Sequence, residues 1–94
     1  MSLSMSLRGT LSFMLQQEGV IAGSVWRCYR QPTDEKSFAL IDVQEVDGEK
    51  INFDVHPKEK AFWGNTTPEI LELTKLDAAG IITLILENRL VPVK

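Results

Sequence analysis

The sequence predicts a small domain that is mainly β with helices, and three observations support this class. Apolar and polar residues alternate through 39–43 and again through 51–55, as expected for strands with one buried face. Thr67-Pro68-Glu69 has the composition of a helix start, because Thr caps a helix and Pro fits its first turn. Residues 81–86 are almost all apolar, which indicates a central strand.

The first predicted element is a helix that begins at Leu7 and ends before Gly19. Apolar residues recur there at helical spacing. Many helices are followed by a residue in the left-handed conformation, which Gly adopts easily. The apolar stripe consists of Leu7, Leu11, Met14 and Leu15. A strand through Leu11, Phe13 and Leu15 is the alternative. Residues 1–6 belong to a duplicated Met-Ser-Leu and are assigned to a tail, so the single domain is predicted to span 7–94.

Residues 20–30 are predicted to form a long strand with a bend at Gly23, since Gly inside a strand pattern marks a bulge or a bend. A polar loop follows at 31–35.

Residues 36–56 are predicted to form a β-hairpin. A two-residue Asp47-Gly48 loop would place apolar side chains opposite polar ones, whereas a three-residue loop over 46–48 places apolar opposite apolar. We therefore expect the longer loop, with Gly48 at a positive φ. The expected pairs on the buried face are Val43 with Ile51, Ile41 with Phe53, and Ala39 with Val55. Those on the outer face are Phe38 with His56, Leu40 with Asp54, and Asp42 with Asn52.

The C-terminal part is predicted to contain a helix that ends at Gly80, the central strand over 81–86, and a last strand over 90–93. Pro92 places that last strand at a sheet edge, because Pro cannot donate to a strand ladder.

Phe62-Trp63, between the hairpin and the helix, is expected to close one end of the core. The predicted order after the first helix is therefore three strands, one helix and two strands. This is the layout of the OB-fold, a small, partly open β-barrel. An α+β sandwich with the same elements is the alternative.

Composition narrows the functional classes. The chain has 94 residues, 44% of them apolar and 24% charged, which is typical of a soluble globular domain. A net charge of −3 argues against a dedicated duplex-DNA binder, which needs a basic face. One cysteine, Cys28, excludes an internal disulfide and favours a reducing, cytoplasmic location. No apolar run reaches membrane-spanning length.

Two segments of the hairpin resemble cold-shock domains. Lys36-Ser37-Phe38-Ala39-Leu40-Ile41 is similar to that family's Lys-Gly-Phe-Gly-Phe-Ile, and Phe53-Asp54-Val55-His56 is similar to its Val-Phe-Val-His. Gly23-Ser24-Val25-Trp26 is loosely similar to the family's opening strand. The resemblance covers roughly a third of the chain. It implies an OB barrel whose outward aromatic residues stack on nucleic acid bases, although Leu40 and Asp54 stand where the family has Phe.

Aromatic and basic residues also alternate in the first predicted strand, at Trp26 to Arg30. Rings that stack on bases, interleaved with guanidinium groups that meet phosphates, are typical of single-stranded nucleic acid binding. A sheet that packs on its own core gives the same pattern. The candidate binding residues are Trp26, Arg27, Tyr29, Arg30, Lys36, Phe38 and His56.

No catalytic or metal-binding pattern is recognised. His56 is the only histidine, no Cys or His pairs have zinc-ligand spacing, and no glycine-rich phosphate loop occurs. Asp42 and Asp54 are expected to form a solvated acidic pair on the outer face. We therefore predict a non-enzymatic binding module without a cofactor. Its predicted ligand is single-stranded RNA or DNA. The alternative is a protein-interaction or assembly module, a homo-oligomer included, that uses the N-terminal helix or an open sheet edge.

Overall fold

The computed structural model describes residues 3–58 and 67–93, which form a small α+β protein with a four-stranded antiparallel sheet and three helices. The strands lie in the order β3-β2-β1-β4. The elements in chain order are α1 (Leu3–Glu18), β1 (Val25–Cys28), β2 (Ala39–Asp47), β3 (Lys50–Pro57), α2 (Pro68–Thr74), α3 (Ala78–Leu86) and β4 (Leu90–Pro92). The predicted aromatic plug at Phe62-Trp63 lies outside the described residues.

The sheet is not closed into a barrel, so the predicted OB-like closure is not found in the described part of the chain. Residues 81–86 are predicted as the fourth of five strands, and that segment is helix α3. The Asp77 carboxylate accepts the Gly80 N–H at 2.8 Å and so caps a new helix. The predicted helix therefore ends at Thr74, and Gly80 lies within α3 instead of terminating α2.

Two predicted helices, α2 and the N-terminal helix, are present in the structure. Thr67 caps α2 by accepting the Ile70 N–H at 3.3 Å, with Pro68 in the first turn, as predicted. The N-terminal helix is also confirmed, although α1 begins at Leu3, within the segment that was assigned to the tail.

Helices α1 and α3 both end in a left-handed residue that turns the chain back toward the sheet. Gly19 (φ 83°) follows α1, and Val20 N–H donates to Leu15 O at 2.9 Å. Asn88 (φ 60°) follows α3, and Arg89 N–H donates to Leu84 O at 2.9 Å. Both are Schellman motifs, so the predicted role of Gly19 is confirmed.

The core lies on one face of the sheet, between the strands and all three helices. In β2, Ala39, Ile41 and Val43 are buried and alternate with half-buried Leu40 and Asp42, as the period of two predicted. Strands β1 and β4 add buried Trp26, Cys28 and Leu90. The helices and loops contribute the other buried residues: Leu15, Val20, Ile70, Leu73, Ala78, Ile81, Ile82 and Leu84.

The hairpin register differs from the prediction by two residues. Asp47 pairs with Lys50 around a two-residue loop, and Gln44 is an unpaired bulge residue between Val43 and Glu45. Gly48 has a φ of 63° as predicted, but as the first residue of this loop. The observed pairs include Val43 with Phe53, Ile41 with Val55, Leu40 with His56, and Asp42 with Asp54. The face assignment survives because a shift of two residues keeps the same side chains inward.

The first strand is shorter than predicted and spans Val25–Cys28. The expected bend at Gly23 is present, with a φ of 89°. Ser24 holds the preceding turn, since its Oγ donates to Ile21 O at 2.6 Å.

Candidate interaction surfaces of the sheet

Trp26 belongs to the core and not to a binding surface. Its side chain is 2% exposed, and its Nε1–H donates to Ser24 Oγ at 3.1 Å. Alternation along β1 turns Trp26 to the helix-covered face and Arg27 to solvent. A ring buried in this way is not available to stack on a base, which corrects its assignment as a binding residue.

Arg30 and Phe38 contact each other. The Arg30 guanidinium lies 4.7 Å from the centroid of the Phe38 ring, and its Nη2 lies 3.3 Å from Glu69 Oε2. Phe38 is half-buried and packs against the core cluster, and Leu40 takes the place opposite His56 that was predicted for Phe38. A base that stacked on this side of Phe38 would have to displace Arg30.

The remaining candidates are dispersed. Tyr29 is half-buried, and its carbonyl oxygen accepts the Arg89 Nε–H at 3.1 Å. Lys36 is exposed in the loop before β2. Arg27 and His56 are exposed and flank Leu40 in one cross-strand row.

The sheet face opposite the core is the outer face, formed by Val25, Arg27, Leu40, Asp42, Asp54, His56 and Val91. Asp42 and Asp54 share this face, as expected, but they lie directly opposite each other, whereas the predicted register placed Asp42 opposite Asn52. Gln44 Nε2 donates to Asp54 Oδ2 at 3.2 Å. Two carboxylates in the middle of this face would repel a phosphate backbone. Arg27 is the one arginine among the residues of the outer face. Sequence reasoning did not place Val25 and Val91 on this face, because their alternation indicates a strand but not its neighbours.

Among the described strands, β3 has a neighbour on one side only, and its other side is a backbone edge. The Val43 N–H donates to Ser24 O at 2.9 Å, and Val43 O accepts the Gly23 N–H at 2.8 Å, so the backbone of Val43 faces β1. Because backbone direction alternates along a strand, Leu40 and Asp42 face β3. The Lys58 N–H, which donates to Phe38 O at 3.0 Å, agrees with this.

The partners of Leu40 and Asp42 on β3 are His56 and Asp54, and their backbone groups therefore point toward β2. The alternate residues Phe53 and Val55 point away from the sheet. Ile51 does so as well, since it follows Lys50, whose pair with Asp47 closes the loop. We call the outward N–H and C=O groups of Ile51, Phe53 and Val55 the β3 edge. Within the described residues no hydrogen bond is made by these groups.

The opposite edge, along β4, offers far less. The Val93 N–H donates to Val25 O and the Tyr29 N–H to Arg89 O, both at 2.8 Å. Residues 89, 91 and 93 thus face β1, while Leu90 and Pro92 face outward. Pro92 has no N–H, so this short strand presents a single outward donor, at Leu90.

Cys28 is fully buried, and burial raises the pKa of its thiol to about 11, so the nucleophilic thiolate is scarce at neutral pH. In the part of the chain that the structure describes, no three His, Cys, Asp or Glu side chains are grouped to hold a metal ion. Across 3–58 and 67–93, none of the helices has the length and apolar character needed to span a membrane.

Comparison with known proteins returns no match to a family model, to a curated protein or to a solved structure. The outer face and the β3 edge are therefore the two candidate interaction surfaces.

Proposed function

We propose that this chain is a small, non-enzymatic binding module that takes an extended polypeptide segment as an additional strand along the β3 edge. The observation that carries the proposal is the contrast between the two sheet edges. The β3 edge presents outward N–H and C=O groups at three alternate residues, whereas the β4 edge presents one outward N–H because Pro92 has none. The one cysteine, Cys28, is a free thiol, which supports the proposal of a cytoplasmic location, where thiols stay reduced.

Strand addition takes its affinity from main-chain hydrogen bonds and its specificity from alternate side chains. Each backbone hydrogen bond contributes roughly 0.5–1.5 kcal/mol net. Lys50, Asp54 and His56 are exposed on the outer-face side of β3 and would select the charge pattern of the incoming strand. Ile51, Phe53 and Val55 are half-buried on the other side and would select apolar residues.

Single-stranded nucleic acid binding on the outer face is the second candidate. Exposed Arg27 and His56 in one row favour it, and so does the resemblance of the hairpin to cold-shock motifs. The facing pair Asp42 and Asp54 opposes it, because phosphate would meet two carboxylates.

The test compares two synthetic variants that each lose one outward backbone donor. N-methylation of the Val55 amide blocks the β3 edge without changing the side chain, and N-methylation of the Leu90 amide blocks the β4 edge as the matched control. Linear peptides selected from a random displayed library against the unmodified chain should bind the Leu90 variant and lose binding to the Val55 variant. Selected peptides that bind both variants equally, or the absence of any selected peptide, would overturn the proposal.

The unmodified chain also serves to test nucleic acid binding, the second candidate function. An oligothymidine titration at low salt should give no binding if the β3 edge is the site. Binding that falls steeply with salt, and falls again in Arg27→Ala and His56→Ala, would instead support nucleic acid as the ligand.

A further inference from the structure

We infer that the strand added to the β3 edge is β3 of a second copy of this chain, so that two four-stranded sheets join into one continuous eight-stranded sheet. This inference rests on the proposed function and names its partner. It follows from the closure of the assembly, the register that the edge allows, and the charges that this register brings together.

The two edges permit a pair of copies and disfavour a filament. Joining β3 of one copy to β4 of the next would generate an open chain, but β4 has three residues and Pro92 faces outward without an N–H. Joining β3 to β3 uses the same edge twice around a two-fold axis and leaves only β4 edges exposed. Such an isologous contact stops at two copies.

The register follows from the outward residues, because only outward residues opposite outward residues make hydrogen bonds. Phe53 then lies opposite Ile51, Phe53 or Val55 of the second copy. The Ile51 register leaves Val55 opposite the turn residue Glu49. The Val55 register places Asp54 opposite Asp54, which brings two carboxylates together.

The Phe53-to-Phe53 register uses all three outward residues, with Ile51 opposite Val55 on both sides. It forms up to about six backbone hydrogen bonds. The side chains on the core side of the joint are then all apolar: Ile51, Phe53 and Val55 of each copy. This register uses the β3 edge most completely.

On the outer-face side of that register, complementary groups meet around Asp54, and Lys50 lies directly opposite His56 of the second copy. Asn52 of one copy lies opposite Asp54 of the second copy. Lys50 of the first copy is the diagonal neighbour of that Asp54, at a distance that a long side chain can reach. Both contacts occur twice because of the two-fold symmetry. The Asp54 carboxylate thus gains an amide donor and an ammonium group from the second copy.

One strand pair buries much less than the roughly 800 Å² per partner of a standard interface. The pair of copies should therefore be concentration-dependent, with monomer at low concentration. Sedimentation velocity of the unmodified chain should show a sedimentation coefficient that rises reversibly with concentration. A monomer at every concentration up to the millimolar range would overturn the inference.

Disulfide trapping tests the register. In Phe53→Cys, the two introduced residues would have Cα atoms about 5.5 Å apart, within the range of roughly 4.4–6.8 Å that a disulfide spans. In the matched control Ile51→Cys, each introduced residue faces Val55, and the two thiols are offset by roughly 13 Å along the strands. Buried Cys28 does not compete, because its thiol has a pKa raised to about 11.

Mild oxidation should convert most Phe53→Cys to a disulfide-linked dimer and leave Ile51→Cys monomeric. Equal cross-linking of both variants would indicate random collision and refute the register. If Phe53→Cys does not fold, an equimolar mixture of Asn52→Cys and Asp54→Cys replaces it, since both side chains are exposed and lie opposite each other across the joint. Random pairing in such a mixture gives twice as much heterodisulfide as either homodisulfide. The register predicts a clear excess over that random ratio, and a random ratio or a lower one refutes the register.

The two proposals fail in different ways. A monomeric chain whose selected peptides still require the Val55 N–H would refute self-pairing and keep the strand-addition function. The absence of both peptide binding and self-association would refute both.

Discussion

Replacing Gly48 by L-Ala and by D-Ala measures the backbone strain of the hairpin turn. Gly48 has a φ of 63° and is the first residue of the two-residue loop, while Glu49 has no positive φ, which is the pattern of a type II′ turn. A Cβ at Gly48 would meet no atom within 4 Å. Any change in stability therefore reflects backbone conformation and not a steric clash.

The two enantiomers should differ in sign. An L-residue held at positive φ costs roughly 1–2 kcal/mol. Either alanine also restricts the conformations of the unfolded chain, which raises the free energy of unfolding by roughly 0.4–1 kcal/mol. Gly48→L-Ala should therefore destabilise the fold by about 1 kcal/mol or less, and D-Ala at the same position should stabilise it by about 0.4–1 kcal/mol. The difference between the enantiomers isolates the strain.

Equilibrium urea unfolding of the synthetic chains at low concentration measures both values, with an unchanged slope as evidence that only stability moved. Gly9 provides the matched control, because it lies within α1 and a Cβ there also meets nothing. At Gly9 the order should reverse, with L-Ala stabilising by roughly 0.5–1 kcal/mol. Equal stabilities of the L- and D-Ala chains at position 48 would refute the assigned turn.

Three further predictions concern helix α3, its N-terminal cap and the buried thiol of Cys28. Ile81→Ala should lower the free energy of unfolding by about 2–5 kcal/mol, because Ile81 is 1% exposed. Leu86→Ala should change it by no more than about 0.5 kcal/mol, because Leu86 is 65% exposed. Equal losses for the two variants in urea unfolding would argue for a buried strand. Asp77→Ala should lower the free energy of unfolding by about 1 kcal/mol through loss of the α3 cap, and an unchanged unfolding midpoint would contradict that role. Burial raises the pKa of Cys28 from 9.0 to about 11, so the unfolded thiol ionises first. The stability that this thiol contributes should be complete well below pH 9 and fall by about 2 kcal/mol by pH 11, a fall that Cys28→Ala should abolish.

Some features of the fold follow from local chemistry and could be predicted. The caps at Thr67 and Gly19 depend on a few adjacent residues, and both form as expected. The period of two in β2 identified its buried face. It could not identify the register, because a shift of two residues leaves the same side chains inward, and the bulge at Gln44 realigns the turn.

Residues 81–86 show why an apolar run without periodicity is ambiguous. Six apolar or small residues fit a buried strand or a buried helix equally well. The deciding signal is Asp77, whose carboxylate caps the helix through Gly80, a residue that was interpreted as a terminator. With 81–86 in a helix, the sheet has four of the five predicted strands and remains open among the described residues.

The candidate site was harder to predict than these local features, because it depends on which elements pack against each other. Alternating aromatic and basic residues in β1 do not specify which set faces inward, and the helices cover the side that holds Trp26. The β3 edge carries no sequence motif, because it is defined by the lack of a neighbouring strand among the described elements. Only the closed character of the other edge, due to Pro92, was visible in the sequence.

Amide hydrogen exchange along β3, followed residue by residue by NMR, tests the central claim that this edge is an open docking strand. At low concentration the Asp54 and His56 amides should exchange slowly, because they donate to β2, and the Phe53 and Val55 amides should exchange fast. Raising the concentration, or adding a selected peptide, should slow Phe53 and Val55 selectively. Four equally protected amides at low concentration, or no added protection with either partner, would contradict the account.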